Sequence, residues 1–539
     1  MHSYKWTAVL IAVPIMALAC AAPAQPTGSQ SESSGPKAGG IVKMRHSLDP
    51  YDWDITYTGK GIGNREGRSV TTDSLLAFKT GPGVGYNEAV IQPNLAERWE
   101  VSSDATTYTF HLRSGIKWHD MPPVSGRALT SADVKFSFEY LSRTGPFSKL
   151  PEANTGWMFE GMDRIDTPDA NTVIVHFKEP FAPFLNYVAH SFVYIAPHEV
   201  YEADGHLKDR LIGTGAYYLD EGASQKGTRW VFKKNPAYWD APRPYINEVQ
   251  MIILPDDGSA SAAFQTKQID WIERLESQQS IELKAKTPDA IAYEFTNQPV
   301  HVYMNNSRPP FDNIKVRKAA FLAVNRDEFI KVMSGGKGEY AVAGVPSGFL
   351  KPDEIKPLVK YDPDEAKRLL AEAGYPNGVT ADIHYPTDAG QSYITHMELL
   401  QSQLKKAGIN ALAKPLPYSQ FSPLRKRGEH NLEVTGKDIV ADADSYLFAT
   451  FHPSSASNYD RVNDPKLNEL LVAERREPNP EKRRDIIKQA VSYLSTECYC
   501  GLALYSPADF QLWQPYLKNY APNWYQNGGW AIRNSWLEK

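Results

Sequence analysis

The chain has 539 residues, 42 % of them apolar and 12 % aromatic, enough for roughly two to four packed units, because a single hydrophobic core stops growing at about 250 to 300 residues. Its formal charge is only −5, and no basic run tracks a phosphate backbone, which argues against nucleic acid as a partner. The 29 tyrosines and 12 tryptophans supply rigid amphipathic surface of the kind a ligand cleft uses, although composition alone favours ordinary packing.

The chain opens with "MHSYKW", then an apolar run from Thr7 to Ala19 that ends in "MALAC", then the small, polar, Pro/Gly/Ser-rich "AAPAQPTGSQSESSGPKAGG". The run is too short for a typical spanning helix and reads as an export signal over 1–19. The residues before Cys20 resemble the lipobox of bacterial lipoproteins, where the cysteine is diacylated and becomes the mature N-terminus, although Ala17 stands where leucine is usual. Cleavage at Ala17-Leu18-Ala19 or Ala22-Pro23-Ala24, releasing a soluble protein, is the other reading. Residues 20–40 then form a flexible tether. No second stretch of about 18 apolar residues follows.

Residues 41 to about 300 read as short alternating strands and turns with one clear helix. The glycine-rich "GKGIG" and "GPGVG" are expected to be loops, neither leading into a phosphate-cradling helix. In "YTFHLRSGIKWHD", Tyr108, Phe110 and Leu112 alternate with polar residues, Ser114-Gly115 turns the chain, and Ile116 and Trp118 restart the alternation. The pattern predicts a hairpin with one buried face, leaving His119 and Asp120 at its end as structural groups or as a catalytic pair. The helix starts at "LTSADVKFSFEYLS": Thr130 and Asp133 have capping-box spacing, and Val134, Phe138 and Leu141 share a face.

From about 311 onward helical signals dominate. "YDPDEAKRLLAEAGY" offers Asp362 as N-cap, Pro363 in the first turn, apolar Ala366, Leu369, Leu370 and Ala373, and Gly374 as C-cap. "THMELLQSQLKKAGINALAKPL" repeats that logic with Leu400, Leu404 and Gly408 before a strand, and the repeat argues for an α/β lobe. Two more helices open at Asp464-Pro465 and Asn479-Pro480. In "ECYCGLALY", strand alternation puts Cys498 and Cys500 on one face, too far apart for an unstrained bridge, so they read as small buried hydrophobes. The terminal "WQPYLKNYAPNWYQNGGW" reads as aromatic-rich and irregular.

Catalytic signatures are missing. There is no G-x-S-x-G, H-E-x-x-H or G-x-x-x-x-G-K-[ST], no G-x-G-x-x-G after a strand, and none of the 13 histidines pair at i, i+4. A chain this long with no assembled site points to binding.

"PNLAERWEVSSDATTYTFHLRSGIKWHD" with "LTSADVKFSFE" resembles the signature region of the family 5 solute-binding proteins of ABC transporters, the group of dipeptide-, oligopeptide- and nickel-binding proteins. "IGTGAYYL" at Ile212, "KKNPAYWD" at Lys233, "FQTKQIDW" at Phe264, "PPFDNIKVRKAAFLAVNRDEFI" at Pro309 and "YDPDEAKRLLAEAGYPNG" at Tyr361 follow in order. The resemblance implies an α/β chain with the two-lobe type II periplasmic-binding-protein fold and an additional domain inserted in the first lobe. The first lobe would be 41–86, 209–295 and 503–539, the inserted domain 87–208 and the second lobe 296–502. It implies no enzyme activity and no cofactor, with ligand-driven hinge closure and delivery to permease subunits by a monomer that Cys20 anchors outside the cytoplasm. "KWHD" becomes a structural hairpin.

The resemblance also implies where ligand sits. In peptide-binding relatives a second-lobe aspartate in a stretch like "A-D-Y-x-x-P" pairs with the peptide ammonium. The nearest stretch here is "VADADSYLFATF", shorter and without the proline, so Asp442 or Asp444 could fill that place, and Asp444 could equally be a helix N-cap. His301, Tyr303, Trp524 and Tyr525 are weaker cleft candidates. A short peptide or peptide-like amine is the expected ligand. A nickel or metal chelate, an opine or an oligosaccharide on the same fold is the alternative, and an exported hydrolase using His119 and Asp120 a remote one.

Overall fold

The computed structural model describes residues 35–539 except 51, 55, 57–61, 82, 86–87, 152, 154, 274, 343–349, 388–390 and 437–441, and describes only the backbone at 62–64, 352, 391, 435–436, 524 and 527–528. Cys20, and with it the signal and most of the tether, lies outside the described residues.

Among the described residues, three sheets of four or more strands organise the chain. The largest runs in the order Ile291–Thr296, Ala508–Trp513, Trp271–Glu273, Ile41–His46, Glu248–Ile253, Arg229–Lys234, Tyr217–Leu219. At its centre Val42 and Met44 lie opposite Val249 and Met251 in parallel register, buried with Phe232 and Trp271. A five-stranded sheet has the order Ile409–Leu416, Val379–Pro386, Leu432–Gly436, Val300–Met304, Leu502–Ala503. Its first two strands run parallel and are joined by helix Gln391–Lys406, whose Leu400 and Leu404 enter the same core. The expected helix, glycine, strand repeat is present. Asp362 caps helix Pro363–Glu372 by accepting the Glu365 N–H at 3.0 Å, and Gly374 and Gly408 take left-handed φ of 95° and 90° before their strands.

The third sheet, Ala96–Val101, Thr107–Leu112, Thr172–Phe177 and Met162–Asp169, is antiparallel throughout. Tyr108, Phe110 and Leu112 are buried as their period predicts, against Phe138 and Leu141 of helix Ser131–Ser142, which starts from the Thr130–Asp133 capping box. The expected hairpin has a different partner. Thr107–Leu112 is an interior strand with both edges taken, so after the Ser114-Gly115 turn the chain pairs with 127–129 instead, Trp118 N–H donating to Arg127 at 3.0 Å and Leu129 N–H to Ile116 at 2.9 Å.

His119, at the end of that arm, meets the "IGTG" segment. Its Nδ1 accepts the Gly213 N–H at 3.3 Å and its Nε2 donates to the Gly215 carbonyl at 3.1 Å. Burial brings its pKa down to about 4 in spite of the Gly215 bond. The imidazole is therefore neutral near pH 7 and structural. The glycines are required by close approach, since a Cβ on Gly213 would stand 2.1 Å from the Thr71 carbonyl oxygen and one on Gly215 2.5 Å from it.

Three further expectations are corrected. The first 300 residues hold more than one helix, among them Asp257–Gln265, capped by Asp256, and Ser277–Lys286, capped by Glu276. Both are rich in Ala, Ser, Gln or Lys and lack a broad apolar stripe, which hides them from periodicity. Ile62 and Gly63, the last two residues of "GKGIG", open helix Ile62–Thr71, whereas Gly81 and Gly83 of "GPGVG" lie in a loop at positive φ. Cys498 and Cys500 form a disulfide. They do not lie on a strand: Cys498 ends a π-helical turn and Tyr499 takes a left-handed φ of 50°, so the Cα atoms are 5.0 Å apart, within bridging range.

The two large sheets are joined by two runs, 296–300 and 503–508, that lie side by side. Asn297 N–H donates to the Pro507 carbonyl at 2.8 Å, Val300 N–H to Tyr505 at 2.9 Å and Leu504 N–H to Val300 at 2.9 Å. A paired double connection of this kind is the form in which two bodies can rotate by small backbone changes at few residues.

Candidate functional site

Helix Asp444–Phe451 begins where three parts of the chain converge: helix Phe184–Ala189, the helix pair Pro465–Arg476 and Pro480–Tyr493, and the turn Trp524–Gln526. Oδ1 of Asp442 accepts from Arg483 Nη2 at 2.5 Å and from the Asp444 N–H at 2.9 Å; Oδ2 accepts from Arg483 Nη1 at 2.8 Å and Asn186 Nδ2 at 2.7 Å. A carboxylate has about four lone-pair positions, so these donors saturate Asp442. Asp444 is the first residue of the helix, one past the Ala443 cap position, and its carboxylate turns away to other partners and does not cap it. Its Oδ2 accepts the Tyr187 hydroxyl at 2.5 Å, and its Oδ1 lies 2.7 Å from Arg475 Nε as an ion pair. Glu474 Oε2 accepts from Arg483 Nε at 3.0 Å and Nη2 at 2.7 Å.

Three buried carboxyls thus face two guanidiniums. Burial would raise Asp442, but the charge and hydrogen bonds of Arg483 and the Asn186 bond hold it below the ordinary carboxylate range. Glu474 goes the other way: burial pushes it well up, and Asp444 and Asp442 add like charge that Arg483 does not offset. Burial works against both arginines, and the surrounding carboxylates keep them charged all the same. Arg475 reaches outward to Glu160 at 2.9 Å, and Arg476 pairs with Glu179.

Tyr525 is buried against Phe78, with ring centroids 5.3 Å apart, and the near charge of Asp442 adds to burial in raising its phenol pKa. Next to it, Gln526 Nε2 donates to the Ala189 carbonyl at 2.8 Å, so this turn holds the end of the helix that supplies Asn186 and Tyr187. The side chain of Trp524 is outside the described residues.

His301 and Tyr303 lie elsewhere, inside the five-stranded body. His301 is buried between Asp460, 2.9 Å from Nε2, and the Tyr446 hydroxyl, 2.6 Å from Nδ1. Tyr303 pairs across the ladder with Glu433 and lies edge-on to Tyr459 at 5.4 Å. Burial raises Glu433 to about 8, with Arg425, 4.0 Å away, lowering it and Asp460 adding to the rise. In the same chain, Asp133, His198 and Glu199 gather ligand atoms within 4.8 Å of one another. The Arg127 guanidinium already occupies that cluster, 2.6 Å from Asp133 and ion-paired with Glu199.

Sequence reasoning brought Asp442 and Asp444 into view but not Arg475, Arg483, Asn186 and Tyr187. A signal existed for the arginines: Glu474 and Arg475 continue the face of Leu467 and Leu471, and Arg483 that of Ile487 and Ala490, all buried. Charges on a core face announce a buried partner. The helix carrying Asn186 and Tyr187 spans six residues, too few for a period to show.

The model of the bacterial extracellular solute-binding proteins, family 5 (middle), matches residues 90–458. The chain belongs to that family. It is 30 % identical over 448 residues to the dipeptide-binding protein of Escherichia coli K12, covering 77 % of this chain and 80 % of the relative. It is 28 % identical to heme-binding protein A of Haemophilus influenzae, covering 77 % and 78 %. Among solved structures, the periplasmic binding protein DppA of Helicobacter pylori with the peptide STSA aligns at TM-score 0.78 and 23 % identity, over 93 % of this chain and 99 % of that one. AgaA of A. tumefacien R10 with agropinic acid aligns at TM-score 0.77 and 23 % identity, with the same coverage. The fold is that of the type II periplasmic binding proteins. This family 5 protein is the extracytoplasmic solute-binding component of an ABC importer and not an enzyme. No helix among the described residues is long and apolar enough to cross a membrane.

Proposed function

We propose that this family 5 protein captures a peptide or peptide-like solute between two lobes and delivers it to the permease subunits of its transporter. The observation that carries the reading is the pair of adjoining connections between the seven- and five-stranded sheets, in a chain related to peptide-binding proteins. In this reading 41–86, 209–295 and 503–539 act as the first lobe, 87–208 as an inserted domain and 296–502 as the second lobe. The protein works as a monomer, and Cys20 holds it to the membrane by a lipid.

Solute touching both lobes favours the closed arrangement by its differential affinity for that state. A ligand ammonium at Asp442 or Asp444 would have to displace a guanidinium and strand it in a buried place. The saturated Asp442 and the ion-paired Asp444 therefore favour a second reading beside the first: a solute recognised without an ammonium at these residues, such as an opine. The related structure with agropinic acid is consistent with it.

A thermal-shift screen separates the readings. Saturation at about 100 times Kd adds about 2.7 kcal/mol and raises Tm. Dipeptide and tripeptide pools, the same pools N-acetylated, and opines are the arms. A shift with free peptides that the N-acetylated pool does not give supports an ammonium anchor; a shift with opines alone removes the peptide reading and keeps solute capture.

A further inference from the structure

Five contacts tie the 87–208 region to the 442–476 stretch. Asn186 donates to Asp442 at 2.7 Å and Tyr187 to Asp444 at 2.5 Å. Glu160 pairs with Arg475 at 2.9 Å, Glu179 pairs with Arg476, and the Ala182 N–H donates to the Arg475 carbonyl at 2.8 Å. The Arg475 guanidinium also sits between rings from the two sides, 4.9 Å from the Phe181 centroid and 3.6 Å from that of Phe448.

Each buried charge keeps an opposite charge beside it without these bonds. Asp442 and Glu474 both bond Arg483 within 442–483, and Arg475 has Asp444. The crossing bonds are additional, made by neutral donors and by carboxylates that are themselves part-exposed, with Glu160 at 46 % and Glu179 at 62 %. On separation water can replace them without leaving a buried charge unpaired. That is the construction a reversible contact needs.

We propose that helix Phe184–Ala189 latches the closed arrangement, with Asn186 and Tyr187 as positioning residues that set solute affinity without touching solute. The proposal rests on the solute-capture reading and adds the 87–208 region to its closing surfaces. Apparent affinity scales with the fraction of chains in the binding-competent state, so a weakened latch lowers affinity for every solute by one common factor. Hydrogen bonds to charged groups are the stronger kind, and 1.4 kcal/mol is tenfold, so losing both is expected to weaken binding about tenfold or more.

The test compares the full chain with Asn186→Ala/Tyr187→Phe, and with Glu179→Ala/Arg476→Ala at the solvent-exposed rim should the first variant fail to fold. Small-angle scattering is recorded without ligand and with the dipeptide, tripeptide and opine pools, and Kd is measured for each pool that binds. The expected result is a larger radius of gyration for the variant under matched conditions and a Kd raised by the same factor for chemically different pools. Unchanged radius and Kd overturn the latch, as does a loss confined to one solute, which would make Asn186 or Tyr187 a ligand contact. Should no pool bind the wild type, solute capture by these classes fails on its own, and the ligand-free radii still decide whether the latch exists.

Discussion

Replacing Glu433 with Gln is predicted to stabilise the protein in alkaline solution and to leave it nearly unchanged in acid. Glu433 is fully buried and neither carboxyl oxygen has a hydrogen-bond partner among the described residues. The groups around it are Arg425, 4.0 Å away, its ladder partners Tyr303 and His384, and the carboxylate of Asp460. Burial raises it to about 8 from 4.5. A carboxyl with a raised folded pKa keeps its proton in the folded state over a range where the unfolded chain has lost it. Stability then falls as pH climbs from about 4.5 to about 8 and levels off beyond. With 1.36 kcal/mol per pKa unit, the loss has a ceiling of roughly 5 kcal/mol, reduced by whatever water enters beside Arg425. Glutamine keeps the shape without the titration. Urea denaturation at pH 5 and pH 9 is the assay: the wild type should lose several kcal/mol relative to Glu433→Gln between the two. Parallel profiles for the two proteins, or a variant weaker at pH 9, would show that Glu433 does not hold its proton in the fold.

Arg483→Met leaves Asp442 and Glu474 buried without their cation, and denaturation should report a loss of about 3–5 kcal/mol, part of it recovered by adding Asp442→Asn; a double variant no better than the single one would show that the pair is not the cause. Gly213→Ala drives a methyl into the Thr71 carbonyl and should abolish soluble expression or lower Tm by well over 10 °C, whereas a wild-type melting curve would mean the backbone there yields easily. Cys20→Ala should move the protein from the membrane to the soluble fraction of cells, and an unchanged distribution would rule out the lipid anchor.

Much of the fold was legible because local rules and the global structure agree. The caps at Thr130, Asp362, Asp464 and Asn479 and the alternation of Tyr108, Phe110 and Leu112 all hold. What failed depended on distant chain. The partner of Ile116–Trp118 is decided by Thr172–Phe177 taking the edge of Thr107–Leu112, which no local pattern shows. The Cys498–Cys500 bridge depends on one left-handed residue, Tyr499, a conformation that tyrosine does not advertise. At the convergence site, the aspartates came to notice through family resemblance. Their arginine partners lie 31 and 41 residues further along and were visible only as charges out of place on two apolar helix faces.

Solute capture by this protein depends on closure. Small-angle scattering of the wild-type chain, titrated with whichever solute pool raises its Tm, should show the radius of gyration falling and then levelling at one solute per chain, with the solute recovered chemically unchanged. A saturated protein with the radius of the free one would mean that solute does not close the two lobes.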